Sequence, residues 1–193
     1  FSYVIFYFYR ELKMNDKKIF KLLQEWFPVL ELREIPKKKY RPIFQQFLAW
    51  MSAEKLGKHS QAYLMSVDSE NPHENGLEQC AILQLMNSDI RLAQQQIRNR
   101  TIPLCEHYAK HKQVIGKYYN VNTQVFDIVL EEIYELLKSK KLELIIIYAE
   151  KTYWIAVPNE DIKIDKFCRA FLKQFKNEGI CIEHYIKLDC LRS

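Results

Sequence analysis

Cys105, Glu106, His107 and His111 are the residues whose types and spacing come closest to a metal site. His107 and His111 stand four apart, one helical turn, and a pair so placed can hold zinc through two imidazoles. At about 100° per residue, Cys105 falls roughly 120° around such a helix from His111, so it does not readily join them. A third ligand would have to come from His59, His73, His184 or Glu78. His111 also lies on an apolar stripe, where a hydrogen-bonded core histidine is the commoner outcome, and no metal or other cofactor is expected.

A second group, Glu160, Asp161 and Asp165 beside Lys163, has the composition of a Mg²⁺ site that stabilises a cleaved phosphate. Acids at the start of a helix are also favoured there simply by its positive end. No cysteine sits in a nucleophile motif, and the chain has no G-x-S-x-G, Walker A, G-x-G-x-x-G or H-E-x-x-H pattern. No catalytic residue is assigned, and a non-enzymatic role is the expectation. The order helix, strand, strand, helix, strand over residues 123–187 resembles restriction-endonuclease-like nucleases in topology, although their core has one more strand. Those enzymes carry acid-x-Lys on a central strand. Here Thr152 to Val157 has no acid, and Asp161-Ile162-Lys163 falls in a turn before a helix, so a metal-dependent nuclease is the third reading.

Basic side chains support a different chemistry. Lys37, Lys38, Lys39 and Arg41, with Tyr40 among them, form a compact loop able to neutralise several phosphates. Arg91, Gln95 and Arg98 line one exposed face of a predicted helix, with Gln94, Asn99 and Arg100 nearby, side chains suited to phosphates and base edges. Each group could equally be a solvated surface. Residues 53–60 have the small-residue and glycine spacing of a partial helix-turn-helix, but Ser52 and Lys58 stand where apolar residues normally pack. A winged-helix reading of 103–158 is disfavoured, because Asp127, Glu131, Glu132 and Glu135 would repel phosphate from the helix before the hairpin. Tyr148, Tyr153, Trp154 and Tyr185 could stack bases, although aromatics in strands are more often core.

These residues belong to a chain of 193 residues with 48% hydrophobic and 27% charged side chains, an ordinary globular composition. Only 4 Gly and 6 Pro argue against propellers and glycine-rich nucleotide folds. The net charge of +5 is uneven: residues 1–60 hold 12 basic and 6 acidic groups, whereas 143–193 hold 8 of each. Five scattered cysteines without a C-x-x-C pair fit reduced thiols and a cytoplasmic setting. No apolar run approaches the roughly 20 residues that span a bilayer.

The elements that must position these residues are mostly helical at first. Residues 1–9, nearly all aromatic or apolar, read as a strand buried on both faces. An interfacial anchor and sequence upstream of a start at Met14 are the other readings. Ile19, Leu22, Leu23, Trp26 and Phe27 repeat at helical spacing up to Pro28. A second helix is expected from Pro42 to Gly57, a short one from Ser60 to Ser66, and a polar boundary over 67–76. Leu83, Met86, Ile90, Ala93 and Ile97 predict one long helix over 77–98. Thr101 and Pro103 would open another with Leu104, Tyr108, His111, Ile115 and Tyr118 inward, and Asn122 would cap the next. Leu142 to Ala149 and Thr152 to Val157 read as a hairpin, followed by a helix over 164–177 and a strand over 180–187.

The expectation is an α+β fold, a helical two thirds followed by a small sheet. Residues 1–76 form a basic, mainly helical region and 77–193 the remainder, or the two are continuous. The first functional reading is a small intracellular module that binds nucleic acid, DNA foremost, through the basic residues above. The alternative is a protein-interaction subunit docking through the N-terminal aromatic strand or the 83–97 seam.

Overall fold

The computed structural model describes residues 17–52, 54–56, 59–68, 71, 73–116 and 118–187, so the strand expected over 1–9 lies outside the described residues. The strand β4, Leu142–Tyr148, buries every residue through Ile147. Alternation between apolar and polar is missing from it because both faces of the sheet are covered. Ile145 and Ile147, with Ile155 and Val157 of the neighbouring strand, face a core supplied by Phe20, Leu23, Phe47, Phe167 and Phe171. Leu144, Ile146, Trp154 and Ala156 face a second core with Ile97, Val129, Ile133 and Leu137. The chain is therefore an α+β sandwich of three layers, helices on each side of an antiparallel sheet, each layer about 10 Å thick.

The first helical layer contains α1 (Lys18–Trp26) and α2 (Phe44–Met51). Ile19, Leu22, Leu23 and Trp26 are buried as their spacing requires, and Phe27 leads into a 3-10 turn at Pro28–Leu32. The α2 helix stops at Met51, well short of Gly57. Its apolar face ends there, and the Ser52 hydroxyl donates to the Ala49 carbonyl at 2.6 Å. Beyond it the chain forms the antiparallel pair β1 (Glu54–Leu56) and β2 (His59–Gln61), in place of the partial helix-turn-helix considered for residues 53–60.

The helix expected over 60–66 is likewise absent. Met65 and Val67 are buried and Ser66 between them is exposed, a period of two that makes β3 (Met65–Val67) a strand. This strand pairs with β5 (Thr152–Pro158), giving a four-stranded sheet in the order β3-β5-β4-β6. Both cores draw on residues from either side of position 76.

The long helix expected over 77–98 is broken. A 3-10 turn at Leu77–Gln79 and the short α3 (Ala81–Leu85) precede Asn87, which takes φ +47. Asparagine tolerates that left-handed geometry, and Asp89 then restarts the chain by accepting the Leu92 N–H at 3.1 Å. The resulting α4 (Ile90–Ile115) runs 26 residues, straight through the boundary expected at Thr101 and Pro103. Residue 99, whose carbonyl loses its donor to the proline, is exposed and so open to water. The next helix, α5 (Val121–Ser139), is capped by Asn120 rather than Asn122: the Asn120 side chain accepts from the Asn122 N–H at 3.0 Å.

The C-terminal elements follow the sequence closely. β4 and β5 pair from Leu142 with Pro158 to Tyr148 with Thr152. The helix α6 (Asp161–Gln174) buries Phe167 and Phe171 completely, with Phe175 just past its end. Gly179 at φ +67 turns the chain into β6 (Cys181–Tyr185), antiparallel to β4.

Candidate nucleic-acid interface

The loop between α1 and α2 is built around Arg41. Its side chain is buried, 9% exposed, and its Nε donates to the Pro36 carbonyl at 2.7 Å. The Tyr40 N–H donates to the Lys37 carbonyl at 2.8 Å, making a 3-10 turn over Lys38–Tyr40. Pro36 to Arg41 is thus a closed loop whose cation at 41 shapes it from inside. Lys37, Lys38 and Lys39 stand exposed on the outside. The Lys39 ammonium lies 4.6 Å from the centre of the Tyr40 ring. None of these three lysines has a carboxylate partner among the described residues.

Further lysines share this layer. The polar face of α1 exposes Lys18 and Lys21, with Lys17 just before it. The Phe44 N–H donates to the Glu178 carboxylate at 3.1 Å, joining the start of α2 to the end of α6, where Lys173 and Lys176 are exposed. None of these five has a carboxylate partner among the described residues. They were not singled out from the sequence, although the positions between the buried residues of an amphipathic helix are where solvent-facing charge belongs.

The second predicted group occupies the opposite layer. Arg91, Gln95 and Arg98 are exposed along α4. Arg98 borders an open cleft of about 560 Å³ that also meets Gln94, Asn75, Ser66, Glu74 and Glu78. The cleft wall is rigidly held: Asn75, only 1% exposed, exchanges hydrogen bonds with Gln94 at 3.2 Å, while the Trp154 Nε1–H donates to its carbonyl at 2.7 Å. Arg100 donates to Glu132 at 2.6 Å and to Glu131. Lys187 meets Glu131 at 2.7 Å and Glu135 at 2.9 Å. Glu131, Glu132 and Glu135 of α5 are therefore tied to cations, while Asp127 is exposed, and hydrogen bonds from Lys187 and Arg100 outweigh partial burial to hold Glu131 below the usual carboxylate range. The sheet separates Lys37, Lys38 and Lys39 from Arg91, Gln95, Arg98 and Arg100, so the two predicted groups do not form one surface.

The enzyme-like groups are also paired. Lys163 meets Glu160 at 2.7 Å and Glu25 at 3.4 Å, and Asp165 is held by Arg169 at 2.9 Å. Asp161-Ile162-Lys163 is the first turn of α6. His111 is exposed rather than part of the core, and its Nδ1 lies 2.9 Å from the His107 carbonyl. Among the described residues no three His, Cys, Asp or Glu side chains converge. The aromatic candidates divide: Trp154 is fully buried, while Tyr148 donates to Glu183 at 2.7 Å at the sheet surface. No helix among the described residues is long and apolar enough to cross a membrane.

No protein-family description, curated protein or solved structure matches the chain.

Proposed function

We propose that this chain is a non-enzymatic nucleic-acid-binding module that meets the phosphate backbone with the helical layer of α1, α2 and α6. The observation that carries the reading is the run Lys37, Lys38 and Lys39, exposed on a closed loop, with no carboxylate partner among the described residues. A lysine already in an ion pair must break it to meet a phosphate, whereas these lose only water and counterions. Lys17, Lys18, Lys21, Lys173 and Lys176 extend the same layer. Arg41 acts as a positioning residue, holding the loop through Pro36.

Ammonium groups on flexible stems contact phosphates as point charges and carry no base code, so the reading is of backbone binding without sequence preference. Arg91, Gln95 and Arg98 lie on the far layer and have no necessary part in it. Arg100 is tied to Glu131 and Glu132, which places two carboxylates where a phosphate would have to approach. The test is fluorescence anisotropy with labelled duplex DNA, single-stranded DNA and RNA across a salt series. Micromolar affinity that weakens linearly in log salt is the expected result. No binding to any probe at low salt would overturn the reading.

A further inference from the structure

β3 is an edge strand, paired with β5 on one side. Just past it the Asp68 N–H turns away from β5 and donates to the Glu74 carbonyl at 3.3 Å. At the two-residue period of a strand, the N–H and C=O of Ser66 point outward as well, and Met65 and Val67 make the bonds to Trp154 and Thr152. The hairpin on the far side of β5 agrees. There the Ala149 N–H donates to the Lys151 carbonyl at 3.1 Å, so Tyr153, Ile155 and Val157 bond β4 and leave Thr152 and Trp154 for β3. The outward N–H and C=O of Ser66 have no partner among the described residues. On either side of Ser66 the edge is shut: by Asp68 with Glu74, and by Ala62, whose N–H donates to the Gln79 carbonyl at 2.8 Å and whose carbonyl accepts from the Ala81 N–H at 2.9 Å. Between these closures lies the cleft of about 560 Å³, walled by β3, the segment 73–79 and α4. Arg98 and Glu78, which line it, have no ion-pair partner among the described residues, and Glu74 accepts from the neutral Asn71 amide at 2.8 Å.

We propose that this cleft binds a free, extended peptide of about three residues, whose central N–H and C=O pair with Ser66, whose carboxylate meets Arg98 and whose ammonium meets Glu74 or Glu78. Main-chain pairing at an open strand edge is an established mode of peptide recognition. The volume is that of a small-ligand site. The closures set the length of the ligand. From 62 to 68 the chain spans at most about 20 Å at 3.3 Å per residue, which admits three residues with their charged ends. A strand running past the cleft would have to break the bonds of Ala62 or Asp68. The lining sets its charge. A phosphate ester would satisfy Arg98 but bring like charge to Glu74 and Glu78, and a single amino acid has no internal residue to offer Ser66. The walls are held before any ligand arrives, since Asn75 is bonded to Gln94, one turn before Arg98, and to Trp154. None of these residues belongs to the lysine surface, so the site is independent of the nucleic-acid reading.

The test titrates the full chain, labelled with nitrogen-15, with trialanine and follows the amide signals by NMR. Saturable binding with a Kd on the order of 0.1 to 1 mM is expected, with the Ser66 amide among the signals that move. Three altered peptides, acetylated at the N-terminus, amidated at the C-terminus or N-methylated at the central residue, are each expected to bind about tenfold more weakly. Arg98→Gln should erase the preference for the free carboxylate over the amide. Glu74→Gln combined with Glu78→Gln should erase the preference for the free amine. Ser66→Pro removes the outward N–H at a place where an edge strand tolerates proline, and should lower affinity as N-methylation of the peptide does. Should that variant fail to fold, the N-methylated peptide reads the same contact on the parent chain. The Lys37, Lys38 and Lys39 to Ala variant is expected to bind trialanine as the parent does. Absence of saturable binding, equal affinity for the altered peptides, alanine binding as tightly as trialanine, or displacement of trialanine by an equal concentration of inorganic phosphate would each overturn the proposal.

Discussion

Arg100 on α4 donates to Glu132 on α5 at 2.6 Å and reaches Glu131 with its other terminal nitrogen. An arginine that looks like a phosphate contact in the sequence is therefore a clasp between two helices. Its side chain is 42% exposed, so the clasp contributes little to stability. Arg100→Ala is expected to lower stability by no more than about 1 kcal/mol in urea unfolding. It should leave nucleic-acid affinity within about a factor of two, because no phosphate contact is removed. A large loss of affinity would return Arg100 to the binding surface.

The turn at Gly76 tests the wall of the α4 cleft. Its φ of +76 suits glycine, and an added Cβ would stand 2.6 Å from the Cβ of Met65, a buried residue of β3. Gly76→Ala therefore combines backbone strain with a clash, and a loss of about 2 to 4 kcal/mol is expected in chemical denaturation. A loss below about 0.5 kcal/mol, the range of surface substitutions, would contradict the packing of this turn against β3.

Glu143 makes stability depend on pH in a defined direction. Burial alone raises its pKa, but hydrogen bonds from Lys138 at 2.7 Å and from His184, whose Nε2 lies 3.1 Å away, outweigh it and leave the carboxyl below its usual range. A depressed native pKa means that the unfolded chain takes up the proton first. The contribution is thus present above the ordinary glutamate value of about 4.3 and is lost as pH falls toward the native pKa. Glu143→Gln is expected to flatten the acid limb of a stability profile measured between about pH 5 and 3. Unchanged steepness would place the acid sensitivity elsewhere.

The thiols report on the cores directly. Burial pushes Cys80 up to about 11, and burial with Asp165 nearby pushes Cys168 up to about 11. Cys181 on β6 is exposed. With maleimide at pH 8, mass spectrometry of peptides is expected to find Cys181 modified before the other thiols of the described residues and Cys80 protected until denaturant is added. Rapid labelling of Cys80 in the native chain would contradict its burial in the second core.

Elements whose apolar stripe the core buries were legible in the sequence. Ile19, Leu22, Leu23 and Trp26 lie inward in α1, as do Phe167 and Phe171 in α6. The run from Leu142 to Ile147 is a strand for the same reason. Short elements were not legible. Met65-Ser66-Val67 shows one cycle of alternation, too little to separate a strand from a helix turn, and pairing with β5 decides the matter. The break at Asn87 was written in Asn87 and Asp89, a left-handed stop followed by a cap, but the seam continuing across it concealed both. At the candidate site, Lys37, Lys38 and Lys39 were visible as a run. The inward turn of Arg41 toward Pro36 and the pairing of Arg100 depend on contacts that composition does not record. The placement of the two basic groups on opposite layers follows from which strand residues each helix covers.

The most direct test of the central claim compares two charge reversals against one labelled duplex over a salt series: Lys37, Lys38 and Lys39 to Glu, and Arg91 with Arg98 to Glu. Neutralising a phosphate contributes about 0.9 to the slope of log affinity against log salt, so loss of the three lysines is expected to reduce the slope by about 2 to 3. The same variant should abolish measurable binding at physiological salt, while the arginine variant keeps most of its affinity. Equal losses in both variants, or a loss confined to the arginine variant, would contradict binding through the α1, α2 and α6 layer.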